Sequence, residues 1–135
     1  MRLKKCMENL EINVVMNIDG KRVVGDSEET FSKLDFVMIG PYIPHVWKSE
    51  EEDNRVVTIQ FSSELLNFHI MNKRLFTPIK KLLIDSRQGL QFYGPDAERI
   101  KDEILELTRI QGFQTATMFL NILNSLAQAP RRKLV

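Results

Sequence analysis

The segment Leu34-Asp35-Phe36-Val37-Met38-Ile39-Gly40-Pro41-Tyr42-Ile43-Pro44-His45-Val46-Trp47 constrains the fold more tightly than any other stretch of the chain. Phe36 to Ile39 is a short apolar run of the kind that a buried strand needs. Gly40-Pro41 and Ile43-Pro44 punctuate it, and each proline holds the residue before it extended. The segment therefore reads as strand, tight turn, strand. Past the turn, alternation puts His45 and Trp47 on one strand face and Val46 on the other. An imidazole and an indole side by side predict the inner wall of a small barrel.

The flanking sequence extends this pattern. Ile12 to Ile18 is apolar and β-branched, and Asp19-Gly20 after it predicts a hairpin turn, with Lys21 to Val24 returning antiparallel as far as Gly25-Asp26. Further strands are expected at His45–Lys48 and Arg55–Phe61, with the acidic run Glu50 to Asp53 as a solvated tip between them. From Ser62-Ser63 the pattern becomes helical. A short helix should carry Leu65, Leu66, Phe68 and Ile70, and a second should run from Thr77-Pro78 to Ser86, with proline in its first turn. Gly89 to Gly94 reads as a brief extended segment.

Two longer helices close the chain. Asp96 to Gln111 carries Ala97, Ile100, Ile104 and Leu107 on one stripe with charges opposite, and Gly112 is placed to end it. Phe113 to Gln128 is apolar around most of its circumference and needs cover on several sides. One of those covers is expected to be a second subunit, with Phe119, Leu120, Leu123 and Leu126 at a homodimer contact. The whole is an α+β chain: a β part with short helices over residues 1–94, a helical dimerisation hairpin over 95–128, and a solvated tail or linker start over 129–135.

A chain of 135 residues fits one domain and can bury roughly two-thirds of its unfolded surface. Net charge +1 gives no broad pull toward nucleic acid. The single cysteine, Cys6, excludes an internal disulfide and fits a reducing, cytoplasmic compartment. The opening Met1-Arg2-Leu3-Lys4-Lys5 lacks the apolar core of a signal peptide, and no apolar run reaches the length of a membrane span.

The Leu34–Trp47 segment resembles the second motif of the cupin superfamily, in the form found in sensor domains of AraC-type transcription regulators. Those sensors carry Asp-apolar-apolar-apolar-Gly-Pro-x-x-Pro-His-x-Trp after a Gly-x-x-x-x-Gly-Asp hairpin. Here the hairpin is Gly20-Lys21-Arg22-Val23-Val24-Gly25-Asp26. Asp53 to Phe61 resembles the next strand, and Ile79 to Leu83 with Ser86 to Leu90 resembles the segment after it; the similarity spans roughly residues 10 to 127. The resemblance implies a cupin-like or jelly-roll barrel, its opening strands missing or truncated. It implies a small-molecule effector in the barrel, a homodimer, and DNA binding only through a helix-turn-helix part with no counterpart before Val135. This chain alone is therefore expected to bind no nucleic acid. Metal-binding cupins add two histidines and a glutamate upstream of the hairpin. The corresponding stretch, Lys5 to Glu11, has no histidine, and Leu34 stands where cupins have glycine.

His45, Trp47, Met38, Asn17 and Gln60 are the expected ligand-binding set, with Glu11 and Asn13 as further polar residues on the strands. His69, the other histidine, reaches the barrel only if its helix folds over the mouth. One imidazole is not a metal site, so neither a metal nor a cofactor is expected. No nucleophile elbow, phosphate loop or paired-histidine motif marks catalysis. A stand-alone cupin enzyme or metal protein is one alternative, and a decayed structural dimerisation module is another.

Overall fold

The computed structural model describes residues 8–51 and 55–135. Six strands form one antiparallel sheet that does not close, and three α-helices lie against it: β1 Asn9–Val24, β2 Ser27–Ile39, β3 His45–Lys48, β4 Arg55–Ser62, α1 Thr77–Asp85, β5 Leu90–Phe92, α2 Gly94–Leu107, α3 Phe113–Gln128 and β6 Arg131–Lys133. Residues 63–76 make three short 3₁₀ turns, the first capped by Ser62, whose hydroxyl accepts from the Glu64 amide. The chain is an α+β fold. Lys5, Cys6 and Met7 of the upstream stretch compared with metal-binding cupins lie outside the described residues, as do Glu52 and Asp53 of the acidic tip.

The sheet is organised around a long hairpin. β1 pairs with β2 on one side; on its other side β4 takes Asn9–Met16 and β3 takes Lys21–Val24. β5 continues from β2, and β6 from β5. The expected turn at Asp19-Gly20 is not there, and β1 runs straight through it. The hairpin instead turns at Gly25-Asp26, between paired Val24 and Ser27, where Gly25 takes the positive φ of 57° that a two-residue loop demands at its first position. What stands near Asp19-Gly20 is a bulge: Asn17 and Ile18 face the single residue Lys33, with Asn17 and Lys33 both at positive φ. Asp19 fastens it, its carboxylate accepting from the Ser32 hydroxyl and the Lys33 amide at 3.0 Å each. Gly20 is needed for a non-local reason, because a Cβ there would collide with the Lys48 carbonyl at the end of β3.

The two faces of the sheet bury two separate cores. On one face Leu10, Ile12, Val14, Met16, Phe36 and Met38 meet Ile79, Leu82 and Leu83 of α1, Ala97, Ile100 and Ile104 of α2, and Ile122, Leu123 and Leu126 of α3. Each of these side chains larger than alanine contributes about 1.5–3 kcal/mol by leaving water. On the other face Val15, Ile18, Val24, Phe31, Val37, Ile39 and Trp47 form a smaller cluster. Val24 of β1 and Leu134 after β6 both close on Gly89 just before β5, within 3.0 and 3.5 Å of where a Cβ there would stand, so the sheet curls over that face.

The last seven residues are not a solvated tail. After α3 the chain forms β6 against β5, and the Leu134 and Val135 amides donate to the carbonyls of Gly89 and Gln88 at 2.9 and 2.8 Å. Arg131 donates to the Ala127 and Leu126 carbonyls at 3.0 and 3.4 Å, satisfying groups that the end of α3 leaves open. It also reaches Asp85 at the end of α1. Val135 arrives at the hairpin tip, where a Cβ on Gly25 would come within 3.0 Å of it. The edge of the sheet thus comes round toward the tip of its own central hairpin.

Candidate functional site

The curled face gathers most of the buried polar side chains. Pairing sets which residues share it. Val24 opposes His45 and Arg22 opposes Trp47, while Glu11, Asn13 and Val15 oppose Gln60, Thr58 and Val56 on β4. Glu11, Asn13, Arg22, Asp35 and His45 are all buried. They fall into two groups.

The first group surrounds His45. Its Nδ1 lies 2.8 Å from the Ile43 carbonyl, which only accepts, so Nδ1 carries a proton. Nε2 on the other side of the ring is 3.5 Å from Glu11 Oε1 and has no hydrogen-bond partner among the described residues, in a side chain 4% exposed. Glu11 accepts from Asn13 Nδ2 at 3.3 Å and from Gln60 Nε2 at 3.2 Å, and Asn13 Oδ1 accepts from the Thr58 hydroxyl at 2.8 Å. The His45 and Trp47 rings meet edge-on at 5.8 Å. Gln60 is exposed and Thr58 half-buried, so β4 is the open rim of this group.

The second group is ionic. Arg22, 0% exposed, donates through Nε and Nη2 to the two oxygens of Asp35 at 2.9 and 3.3 Å, and through Nη1 to Glu29 at 3.0 Å. Trp47 Nε1 donates to Asp35 Oδ2 at 2.6 Å. Arg132 of β6 donates to both Glu29 oxygens at 2.7 and 2.6 Å and to Gln91 at 2.6 Å. Burial works against the charge of Arg22, but Asp35 and Glu29 outweigh it and hold the guanidinium above its ordinary pKa. Arg132 foremost, with Arg22 assisting against partial burial, holds the Glu29 carboxyl below the usual range.

Of the expected ligand set, the structure brings His45 and Trp47 together on the curled face, with Gln60 at its rim. Val46 is buried as well, on the opposite side of the short β3. Met38 does not belong with them. It packs on the helix-covered face, because β2 alternates and its partner there is Ile12. Asn17 is exposed at the bulge. His69 is exposed on the 3₁₀ segment after β4. The expected dimer residues divide in the same way. Leu123 and Leu126 are 0% exposed within the chain's own core and are not available to a partner. Phe119 is half-buried with its ring 5.0 Å from that of Phe61. Leu120 is half-buried and lines a cleft of about 270 Å³ with Leu75, Phe76 and Ile79.

Arg22, Asp35 and Glu29 are the residues that sequence reasoning passed over. Their signal was parity: Arg22 is two before Val24, and Asp35 is two before Val37, both on the curled face. Two larger clefts lie elsewhere, one of about 560 Å³ between Asp19–Lys21 and Lys48–Glu51, the other of about 420 Å³ between Pro41-Tyr42, Ser63 and Arg87. Among the described residues, no group of three or more His, Cys, Asp or Glu is arranged to hold a metal, and no helix is long and apolar enough to cross a membrane. No family model matches the chain, and no curated protein matches it.

Proposed function

We propose that this chain is an effector-sensing and dimerisation domain of the AraC-regulator type, a cupin-like barrel whose interior is the curled face of the sheet. The observation that carries this reading is His45 Nε2, a buried ring nitrogen 3.5 Å from Glu11 Oε1 but hydrogen-bonded to nothing among the described residues, set in a cluster whose other polar groups are bonded. Leaving such a group unpaired costs about 1–3 kcal/mol, and a small polar molecule entering past Gln60 and Thr58 recovers it. The Pro44-His45-x-Trp47 turn supports the same reading. The effector then acts by preferring one arrangement of the domain over another, in a reducing cytoplasmic setting.

Titration of the purified chain with a panel of small polar metabolites tests this, read by the melting temperature and by emission of Trp47, its single tryptophan. The expected result is a compound that raises the melting temperature and changes the emission for wild type but not for His45→Ala. A broad panel that moves neither signal ends the proposal.

Dimerisation in this reading uses the outward side of α3 and the Leu75–Leu120 cleft rather than Leu123 and Leu126. Leu75 is 85% exposed, so Leu75→Glu does not disturb the core. Light scattering should give a dimer for wild type and a monomer for the variant. A monomeric wild type removes the dimer, and a dimeric Leu75→Glu moves its contact elsewhere.

A further inference from the structure

We propose that β6 is a latch whose grip on the sheet is set from the curled face, through the series Trp47–Asp35–Arg22–Glu29–Arg132. The inference rests on reading that face as the effector site and adds how occupancy there leaves the domain.

Each carboxylate in the series serves two donors. Asp35 Oδ2 accepts from both Trp47 and Arg22, and Glu29 Oε1 accepts from both Arg22 and Arg132. Arg22 and Asp35 are buried, so water does not replace a partner that moves away, and a lost bond must be made good within the series. At one end, the Trp47 ring stands against His45, where an entering molecule would push it. At the other end, Arg132 ties β6 to β2, a strand with which β6 has no ladder pairing.

β6 depends on such ties. It has three residues, and its ladder partner β5 also has three, so backbone pairing alone gives a marginal element. Displacing Trp47 lets Asp35 turn toward Arg22 alone. Arg22 then shares less with Glu29, and Glu29, no longer held from the buried side, is less firmly placed for Arg132, whose other bond is to Gln91 on β5. Strand β6 and whatever the chain carries beyond it are freed or held according to the state of the curled face.

Amide exchange of the intact chain, with no effector added, tests the latch at Leu134 and Val135, whose amides close β6 onto Gln88 and Gly89. Trp47→Phe keeps an aromatic ring in this buried cluster but deletes the N–H donor and part of the ring volume, so protection of α2 in the same sample reports any general loosening. The variant should speed exchange at those two amides about tenfold, the size of one hydrogen bond to a charged group, while leaving α2 protected. Arg132→Gln should do the same, and the double variant should add nothing beyond the larger single effect, because both act through one series. Unchanged exchange in Trp47→Phe, or effects that simply add, would overturn the latch. Should Trp47→Phe fail to fold, Arg132→Gln decides from the opposite end: a shifted Trp47 emission supports coupling, and an unshifted one refutes it. Because no effector is used, coupling in a chain that binds nothing leaves the latch and removes the sensing. Binding without coupling does the reverse.

Discussion

The indole nitrogen of Trp47 donates to Asp35 at 2.6 Å, although their strands, β3 and β2, lie on opposite sides of β1 and do not pair with each other. The bond crosses over β1 on the curled face, and the same carboxylate neutralises Arg22, which β1 contributes from beneath. Three strands are tied at one carboxylate.

Removing that carboxylate should be severe. Asp35→Ala leaves Arg22 buried with the partly exposed Glu29 as its remaining ionic partner among the described residues, and breaking a buried pair in this way costs about 3–5 kcal/mol. Urea denaturation should give a loss in that range. A loss below about 1 kcal/mol, the scale of an exposed pair, would mean that Arg22 is not held as described.

His45 should carry a proton on Nδ1, since the Ile43 carbonyl can only accept there at 2.8 Å. Nitrogen–proton correlation spectra of the imidazole check this directly. A bare Nδ1 with the proton on Nε2 would contradict the geometry of the turn.

Gly40→Ala should destabilise although its backbone is not left-handed. Gly40 donates to the Ser86 carbonyl at 2.7 Å, and an added Cβ would sit 2.8 Å from both Arg87 Cα and Ser86 O. Those are backbone atoms that cannot swing aside, so a cost of about 1–3 kcal/mol is expected from overpacking. A thermal melt equal to wild type would show that the end of β2 yields more easily than this packing implies.

Acid should loosen β6 before it unfolds the rest. Glu29 has its folded pKa depressed, chiefly by Arg132, so its contribution is complete above the ordinary glutamate value of about 4.3 and is lost as pH falls through the lowered folded value. The stability gap between wild type and Glu29→Gln should be widest near neutrality and close in that acidic window. A gap that does not change with pH would mean that the carboxylate charge is not what holds Arg132.

Local signals made parts of this fold legible in the sequence. α3 follows its expected bounds, and α1 begins at Thr77-Pro78 as expected, because helical period and a first-turn proline act within a few residues. The opening strands were legible as β but not in length or turn position. Asp19-Gly20 has the composition of a hairpin turn, yet its glycine answers to Lys48 and its aspartate to Lys33, both far away in sequence. Composition identifies what a residue tolerates, not which neighbour requires it.

The site was half legible for a related reason. His45 and Trp47 follow from alternation within one strand. Met38 was misplaced because β2 is buried on both faces between Asp35 and Ile39, so an apolar run there does not say which face is which. The bulge adds to the difficulty: one extra residue in β1 switches its parity, putting Val15 and Ile18 on the same face. Only the pairing register resolves this.

The Arg132–Glu29 ion pair spans 103 positions of sequence. A chain made from its N-terminus will have laid down the whole β1–β2 hairpin long before residue 132 exists. Until then Glu29 has Arg22 without its second partner, and β5 lacks its outer neighbour. Strand β6 therefore joins the sheet only after the hairpin it helps to cover has been made, a pairing of long sequence separation. Synthesis that halts before Arg131 should yield a hairpin and helices with an open edge, the form of this protein most exposed to pairing with the wrong chain.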